Sequence, residues 1–350
     1  MFLAAIFLAF VFTPAAIAIA LRRGVLDKPG GHKSHNSPVP YLGGLASIVA
    51  FTFSMLIPVL NIDSWEVTRD FLLVFGVALV LAVIGLLDDL KGLSAGFRFL
   101  VEIVAGIVLW EIGVGVSFFG STWIDATITV AWVVGITNAF NLLDNMDGLS
   151  AGIAAVASFS FFTIAAANGQ YIVAGFAIAL TGCALGFLKH NFHPAKVYMG
   201  DSGALFFGFL ISFLGLKLEL TDVSGKISFL IPIVVCSVAV LDTTVVSIAR
   251  IAHGLSPFQG GRDHLSHRLA KAGLPIPVAV SILYLLAGTA GTIAFVIARV
   301  DNTSAYLLTG LVAIILVFLG VVAYQVPVYE NSARNLYKVV RIENGEANTA

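Results

Sequence analysis

The sequence has few charged residues and only two cysteines. Asp, Glu, Lys and Arg make up 11% of its 350 residues, whereas a soluble globular chain carries roughly 25%. This shortage excludes a soluble globular protein, a disordered chain and a basic nucleic-acid binder, and the net charge of -1 indicates no charged partner. Cys183 and Cys236 both lie inside apolar runs, so they predict neither a disulfide framework nor a zinc site.

Long uncharged runs take the place of the missing charge. Hydrophobic residues make up 59% of the chain, and the mean hydropathy is +0.98. A helix that crosses the hydrocarbon core of a bilayer needs about 20 apolar residues. Eleven runs approach this length, namely Phe2–Leu21, Leu42–Leu60, Phe71–Leu87, Phe99–Phe119, Ala126–Phe140, Leu149–Ala167, Tyr171–Leu188, Ser202–Leu216, Ile227–Ile248, Ile276–Ala298 and Ala305–Val326. We therefore predict an all-α, polytopic transmembrane helical bundle with about 10–11 spans.

The Lys and Arg residues are distributed unequally between the two sets of loops. With eleven spans, the loops of one face hold 15 of the 19 Lys and Arg residues, and those of the other face hold four. The positive-inside rule then places the amino terminus outside and the carboxyl terminus in the cytoplasm. We predict one domain over residues 1–329, embedded in the inner (cytoplasmic) membrane with its active site on the cytoplasmic face, and a polar cytoplasmic tail over residues 330–350.

Five aspartates lie at the ends of three predicted spans. Asp88 and Asp89 end the third span. Asp144 and Asp147 precede the sixth span, and Asp201 precedes the eighth. Carboxylates in such places repel one another where water is scarce, unless they share a cation, and oxygen-only ligands favour Mg²⁺, with Mn²⁺ as the alternative, over Zn²⁺. The alternative interpretation is that each aspartate only caps a helix.

Basic residues and histidines occur on the same loops. The basic residues are Lys33, Lys91, Arg98, Lys196, Arg250, Arg262 and Arg268. A mixture of carboxylates and cations suits a diphosphate ligand together with its metal ion. Helical spacing would place His264 and His267 on one face, which suits an anionic phosphate. The same pair could instead form half of a metal site, although no third soft ligand accompanies it.

The polar loops resemble those of a known enzyme family. The motifs are Asp-Asp at 88–89, Asn-Leu-Leu-Asp-Asn-Met-Asp-Gly-Leu at 141–149, Pro-Ala-Lys-Val-Tyr-Met-Gly-Asp-Ser-Gly at 194–203 and His-Leu-Ser-His-Arg-Leu at 264–269. In this order they are similar to the polyprenyl-phosphate N-acetylhexosamine-1-phosphate transferases of the WecA/MraY type, in glycosyltransferase family 4. The resemblance implies transfer of a phospho-sugar from a UDP-sugar to polyprenyl phosphate, release of UMP and a requirement for Mg²⁺.

The loop after the ninth span distinguishes branches of this family. Enzymes that use UDP-N-acetylmuramoyl-pentapeptide usually have three consecutive histidines there, whereas this chain reads Arg-Asp-His-Leu-Ser-His-Arg-Leu at 262–269. The resemblance therefore favours transfer of N-acetylglucosamine 1-phosphate, as the first step of a cell-envelope polysaccharide, with the muramoyl-pentapeptide reaction as the alternative. Three positions depart from the family pattern: Ser266 replaces a further His, Asn145 a usual Gly and Tyr41 a usual Arg.

The resemblance also suggests roles for individual residues. We expect Asp201 and Asp144 to bind the metal ion, and Asp88 and Asp89 to meet the lipid phosphate. The catalytic candidates are Asp88, Asp89, Asp144, Asp147, His264, His267 and Arg268. The substrate-binding candidates are Asp27, Lys33, His35, Lys91, Arg98, Asn138, Asn141, Asn191, Tyr198, Arg250 and Arg262.

A membrane transporter for a phosphorylated substrate is the rival interpretation. Glu102, Glu111 and Asp242 lie within predicted spans, where charged residues are costly and are usually functional. A transporter would need polar residues along a path through the membrane midplane, whereas here they crowd one face. For partners we expect a UDP-N-acetylhexosamine donor, a polyprenyl phosphate acceptor and membrane lipid, but no nucleic acid; a homodimer is left open.

Overall fold

The computed structural model describes residues 1–27, 38–220, 225–257 and 260–329. The elements in chain order are α1 (Phe2–Arg23), β1 (Leu26–Asp27), β2 (Val39–Pro40), α2 (Gly43–Leu60), α3 (Trp65–Lys91), α4 (Ala95–Glu111), α5 (Thr122–Leu143), α6 (Leu149–Ala167), α7 (Tyr171–Asn191), α8 (Gly200–Lys217), α9 (Gly225–Val235), α10 (Ser237–Ala252), α11 (Leu265–Lys271), α12 (Ile276–Ile297) and α13 (Asn302–Tyr324). Two predicted site residues, Lys33 and His35, and the predicted tail lie outside the described residues.

The architecture is the predicted helical membrane bundle. Within the described part of the chain, nine helices are long and apolar enough to cross a membrane: α1, α2, α3, α5, α6, α7, α8, α12 and α13. The consecutive helices α9 and α10 meet at an angle of 73°, and together they can form a tenth span. Their length and composition make this an integral membrane protein.

Two predicted spans differ from the helices that form. The prediction extends the fourth span to Phe119, but α4 ends at Glu111, and Gly113 follows with a left-handed φ of 78°. Such a glycine commonly ends a helix, because it has no Cβ to clash in this conformation. The ninth predicted span is not one straight helix. It breaks at Cys236, one turn after Pro232, whose ring removes a backbone N–H from the helical ladder.

The helices at the centre of the bundle are α6, α7 and α8. Most of their side chains are buried, whereas most side chains of α1 and α13 are exposed. An apolar helix that is buried on all sides belongs to the core of a bundle, and an apolar helix with an exposed surface can face lipid. Aromatic rings fill the space between α2, α7 and α8, where the ring centroid of Phe51 lies 4.9 Å from that of Phe176 and 5.7 Å from that of Phe206.

Glycines allow α2, α3 and α8 to approach backbone to backbone. A Cβ atom added at Gly85 of α3 would lie 2.5 Å from the carbonyl carbon of Asp201 in α8. A Cβ atom added at Gly44 of α2 would lie 2.4 Å from the backbone nitrogen of Gly203 in α8. A side chain at either position would push the helices apart. Because glycine has none, the three helices can converge at the start of α8. Asp89, which follows Gly85 by about one turn, is thereby placed beside that start.

The short strands connect the end of α1 to the loop between α7 and α8. β1 and β2 are antiparallel, with Asp27 opposite Val39. The carbonyl of Pro40 in β2 accepts a hydrogen bond of 2.7 Å from the N–H of Tyr198, and the carbonyl of Tyr198 accepts one of 3.1 Å from Gly43. We call this end of the bundle the polar end: α1, α3, α5, α7 and α10 finish there, and α2, α4, α6 and α8 begin there.

We expect Gly85→Ala to lower the thermal stability of the protein. The new Cβ would overlap the Asp201 backbone, and overpacking of this kind costs about 1–3 kcal/mol. Gly76→Ala is the matched control, because it makes the same change in the same helix with no atom within 4 Å of the new Cβ. Thermal unfolding in detergent measures both variants. Equal stability of the two would contradict the backbone contact between α3 and α8.

Candidate active site

Asp89 caps the amino end of α8 from another helix. Its Oδ1 accepts a hydrogen bond of 3.0 Å from the N–H of Asp201, and its Oδ2 accepts one of 3.3 Å from Ser202. The N-cap residue of α8, Met199, makes no side-chain cap hydrogen bond, and the first N–H groups of a helix have no partner within the helix. A carboxylate at a helix amino terminus is also electrostatically favourable. Asp89 therefore caps a helix, although that helix is not its own, and its role at the lipid phosphate stays a prediction.

Arg98 joins two of the predicted carboxylates. Its Nη1 lies 2.5 Å from Oδ2 of Asp88 and 2.7 Å from Oδ2 of Asp201. The other oxygen of Asp201 accepts a hydrogen bond of 2.9 Å from Nδ2 of Asn141. The other oxygen of Asp88 accepts one of 2.5 Å from the N–H of Leu93. Four helices, α3, α4, α5 and α8, thus bring their polar side chains to one place.

Asp144 adds further negative charge to this place. It follows the last residue of α5, and its carboxylate accepts a hydrogen bond from the backbone of Gly200. Burial and the negative charge of Asp201 raise the pKa of Asp144 to about 7, and Asp147 adds to the shift while the Gly200 hydrogen bond opposes it. A pKa raised in this way means that the ionised carboxylate lacks sufficient positive charge nearby. A cation bound between Asp144 and Asp201 would remove that deficit.

The candidate metal ligands are few. Among the residues that the structure describes, no group of three or more His, Cys, Asp and Glu side chains is arranged to hold a metal ion. Mg²⁺ commonly binds through one or two carboxylates and completes its coordination with water and substrate phosphates. Asp144 and Asp201 fit this limited requirement, because both offer oxygen atoms and both lie at the start of α8.

Asp147 and Asn191 hold the loop between α7 and α8. Oδ2 of Asp147 accepts hydrogen bonds from Nδ1 of His193 at 2.8 Å and from the N–H of Ala195 at 3.0 Å. The buried Asn191 accepts a hydrogen bond of 3.1 Å from the N–H of Gly148. It also donates one of 2.9 Å to the carbonyl of Val197. Both predicted site residues therefore shape the loop that leads to Asp201, and their contact with substrate stays a prediction.

Arg250 forms a buried ion pair with Asp263, which the sequence does not predict. Its Nε and Nη2 donate to the two carboxylate oxygens of Asp263 at 2.8 and 2.7 Å, and its Nη1 donates to the carbonyl of Pro257 at 2.8 Å. Both side chains are almost fully buried. Burial opposes ionisation of Asp263, but hydrogen bonds from Arg250 and Tyr329 outweigh this effect and lower the pKa of Asp263 below its ordinary value.

His264 has a carboxylate partner in α10. Its Nδ1 lies 2.7 Å from Oδ2 of Asp242, whose Oδ1 accepts a hydrogen bond of 2.7 Å from the N–H of Leu265. Asp242, a charge within a predicted span, thus has protein partners on both oxygens. A charged residue within an apolar run indicates that Asp242 is functional or paired. The run does not indicate that its partner is His264.

Arg268 and His267 differ in their surroundings. Arg268 is almost fully buried; its Nε donates to the carbonyl of Asp263, and its Nη1 donates to three carbonyls around the end of α13, those of Ala323, Tyr324 and Val326. A guanidinium in this position satisfies carbonyls that have no helical partner.

Burial and the neighbouring His264 lower the pKa of His267 to about 4. A neutral imidazole at pH 7 can contact a phosphate through its N–H but not through a positive charge.

The remaining predicted site residues differ in their burial and in their contacts. Nδ2 of Asn138 donates to a carboxylate oxygen of Glu102, deeper in the bundle. Lys91 and Arg262 are exposed at the polar end. Tyr198 is partly buried, and burial together with the charges of Asp147 and Asp27 raises its pKa. Its phenol therefore stays protonated at neutral pH, and its predicted stacking on uracil stays a prediction.

The three departures from the family pattern all form contacts at the polar end. The hydroxyl of Tyr41 donates to the backbone carbonyl of Asp89 at 2.9 Å. The hydroxyl of Ser266 donates to Oδ1 of Asn145 at 2.7 Å. This second hydrogen bond connects α11 to the loop that carries Asp144. It therefore brings residues 262–268, which we call the histidine segment, to that loop.

The sequence of this chain is similar to those of known proteins. A profile described as "Glycosyl transferase family 4" matches residues 71–219, the part of the chain that contains all five predicted aspartates. A Bacillus subtilis protein named "Probable undecaprenyl-phosphate N-acetylglucosaminyl 1-phosphate transferase" is 31% identical over an alignment that covers 92% of this chain and 90% of that protein.

Two further relatives differ in the reaction that their names state. A decaprenyl-phosphate N-acetylglucosaminephosphotransferase of Mycolicibacterium smegmatis is 32% identical, with 77% of this chain and 74% of that protein covered. A phospho-N-acetylmuramoyl-pentapeptide-transferase of Bacillus licheniformis is also 32% identical, with 59% of this chain and 69% of that protein covered.

We expect Asp263→Asn to destabilise the protein by about 3–5 kcal/mol, because Arg250 would remain buried without a counter-charge. Asp70→Asn is the matched control, since it breaks the exposed Arg69–Asp70 pair, which is worth about 0–1 kcal/mol. Thermal unfolding in detergent measures both.

The same pair predicts a pH dependence of stability. Because the folded-state pKa of Asp263 is lowered, the pair's contribution is complete above the ordinary aspartate pKa of about 3.9 and is lost only as the pH falls through the lowered value. The stability difference between wild type and Asp263→Asn should therefore be constant between about pH 5 and pH 7. A difference that disappears within this range would contradict the ion pair.

Proposed function

Because this chain belongs to glycosyl transferase family 4, we propose that it transfers N-acetylglucosamine 1-phosphate from UDP-N-acetylglucosamine to a polyprenyl phosphate and releases UMP. The relatives named for N-acetylglucosamine transfer cover 92% and 77% of the chain, and the relative named for muramoyl-pentapeptide transfer covers 59%. The product would be the lipid-linked first intermediate of a cell-envelope polysaccharide.

One observation carries this proposal. Asp88, Asp144 and Asp201 come from distant parts of the chain, yet they lie together with Arg98 at the polar end of an apolar bundle. Phosphoryl transfer between two anionic substrates mainly requires that they be positioned and that their charge be offset. A site at the end of membrane-spanning helices can meet a soluble nucleotide sugar on one side and a lipid phosphate on the other.

The reaction exchanges one phosphorus–oxygen bond for another. An oxygen of the polyprenyl phosphate attacks the sugar-linked phosphorus of the UDP-sugar, and the bond from that phosphorus to the oxygen of UMP breaks. Asp88 or Asp89 orients the attacking phosphate and accepts its last proton if one is present. Arg98 already lies between Asp88 and Asp201, so its guanidinium is placed to attract the phosphates to the carboxylates.

Asp201 and Asp144 are the residues that would hold Mg²⁺, with Mn²⁺ as the alternative. When bound, such an ion neutralises negative charge on the diphosphate and on the departing UMP. The unoffset negative charge between these two carboxylates supports the assignment. Asn141 holds one oxygen of Asp201 and thereby orients the carboxylate.

The histidine segment would bind the donor. His267 and Arg262 would contact its diphosphate, while Arg250 and Arg268, whose guanidinium groups already contact protein oxygens, would hold the segment in place. Tyr198, beside the loop that leads to Asp201, would stack on the uracil ring.

The polar end would face the cytoplasm. The excess of Lys and Arg in the loops of this end supports that orientation. It also suits the chemistry, because UDP-sugars are cytoplasmic metabolites and the acceptor phosphate lies at the membrane surface.

The activity is tested with purified protein, polyprenyl phosphate, Mg²⁺ and a panel of radiolabelled UDP-sugars. We expect lipid-linked sugar and UMP with UDP-N-acetylglucosamine, and a lower rate with other UDP-N-acetylhexosamines. Preference for UDP-N-acetylmuramoyl-pentapeptide would favour the alternative transferase. Uptake of labelled substrate into sealed vesicles without any lipid product would instead indicate a transporter.

We expect Asp201→Asn to reduce UMP release by about 100-fold or more, because the amide cannot supply the charge that Mg²⁺ requires. Asp63→Asn, at an exposed position of the opposite end, is the matched control and should leave the rate unchanged. Removal of divalent ions with EDTA should abolish wild-type activity, and added Mg²⁺ or Mn²⁺ should restore it. Undiminished Mg²⁺-dependent turnover of Asp201→Asn would refute the metal assignment.

Asp88→Asn and Asp89→Asn should each lower turnover by about 100-fold or more. Asparagine at position 89 keeps one acceptor oxygen for the α8 N–H groups and loses the other, so thermal unfolding should show a modest loss of stability. A loss of rate far larger than this loss of stability accounts for separates a role in the reaction from helix capping. Wild-type turnover in both variants would disprove the role proposed for the two residues at the acceptor.

A further inference from the structure

The chain that follows α13 returns to the polar end and packs against the loop between α10 and α11. We call residues 325–329 the C-terminal strap. Arg268 of α11 donates to the carbonyl of Val326 in the strap at 2.9 Å and to those of Ala323 and Tyr324 just before it. The strap is therefore connected to the helix that carries the predicted phosphate-binding histidine His267.

Tyr329 of the strap contacts two residues of this loop, Asp263 and His253. Its hydroxyl donates a hydrogen bond of 2.5 Å to Oδ2 of Asp263. Its ring lies against that of His253, with 4.2 Å between the centroids. Burial and the neighbouring Asp263 raise the pKa of Tyr329 to about 12, so the phenol keeps the proton that it donates. Two independent contacts thus fix both ends of this side chain.

A chain of polar contacts leads from Tyr329 to Asp242 in α10. Asp263 accepts from Tyr329 and from both Nε and Nη2 of Arg250. Nη2 of Arg250 lies 3.5 Å from Nε2 of His264, and Nδ1 of His264 is held by Asp242. Because every group in this chain contacts the next, a change at Tyr329 alters the restraint on Asp263 directly.

Asp263 lies between Arg262 and His264 in the histidine segment. Arg262 precedes it and is exposed, and His264 follows it and is buried. A restraint on the side chain of Asp263 also limits the backbone angles of its peptide. The direction in which Arg262 is presented to a ligand therefore depends on how firmly Asp263 is held.

We propose that Tyr329 is a positioning residue for UDP-sugar binding: by holding Asp263 against Arg250, it fixes the peptide that presents Arg262 to the donor diphosphate. This inference rests on the proposed function. It gives the C-terminal strap a part in donor binding.

A purely structural contact and a positioning contact differ in the kinetic constant that they change. Loss of a structural contact lowers the amount of active enzyme, so that kcat falls while both KM values remain constant. Loss of a positioning contact at the donor raises the KM for the UDP-sugar and leaves the KM for the lipid acceptor unchanged. The two substrates of one enzyme thus provide an internal comparison.

The variant is Tyr329→Phe, which removes the hydroxyl and keeps the ring on His253. A hydrogen bond to a charged group is lost, and we expect the KM for UDP-N-acetylglucosamine to rise by about tenfold. The KM for polyprenyl phosphate and kcat should change by less than about twofold. Tyr306→Phe is the matched control, because it makes the same change at an exposed position at the other end of α13, and it should leave all three constants unchanged.

Hydrogen–deuterium exchange of residues 260–268 provides a second measurement that does not depend on activity. Exchange in this segment should be faster in Tyr329→Phe than in wild type and unchanged in Tyr306→Phe. A wild-type KM for the donor, or wild-type exchange in Tyr329→Phe, would overturn the proposal. If the wild-type protein forms no lipid-linked product from any UDP-sugar, the proposed function fails instead, and faster exchange in Tyr329→Phe would still establish that the strap orders this loop.

Discussion

Negative charge crowded at one end of an apolar bundle is the constraint on which the rest of this structure depends. Each carboxylate there has its own means of offsetting the repulsion. Asp89 uses the amino end of α8, Asp88 and Asp201 share Arg98, and Asp147 accepts from His193. Among the described residues, a backbone N–H of Gly200 opposes the effect of burial and of two neighbouring carboxylates on Asp144. This residual deficit makes a divalent cation, together with a phosphate-bearing substrate, the natural complement of the site.

The fold and the reaction site are coupled through backbone packing. Gly85 lets α3 touch the backbone of α8 at Asp201, and the same approach brings Asp89 within hydrogen-bonding distance of the α8 amino end. A small displacement of α3 would therefore remove the cap of α8 and separate Asp88 from Arg98 together. Gly85 therefore supports the geometry of the site although it has no side chain that could take part in the reaction.

The basic residues divide into two groups in the structure. Arg250 and Arg268 are buried and hold protein oxygens, whereas Lys91 and Arg262 are exposed. A guanidinium surrounded by protein acceptors mainly shapes the loop, and an exposed cation can attract an incoming nucleotide sugar. The family resemblance predicts phosphate contacts for Arg250, Arg262 and Arg268 alike. The contacts of the two buried arginines favour a positioning role, which extends through Asp263 to Tyr329.

Composition and local pattern were sufficient to predict the helical membrane bundle, most of its span boundaries and the loops that carry the site, because apolar run length depends on nearby residues alone. The motifs at 88–89, 141–149 and 194–203 likewise identified the family. The pairs of side chains that contact each other could not be predicted in this way. Asp242 meets His264, Asp263 meets Arg250 and Tyr329, and Ser266 meets Asn145, across 13 to 121 residues of chain. Such pairs depend on how the helices pack and on the bend between α9 and α10, and neither leaves a periodic signal in the sequence.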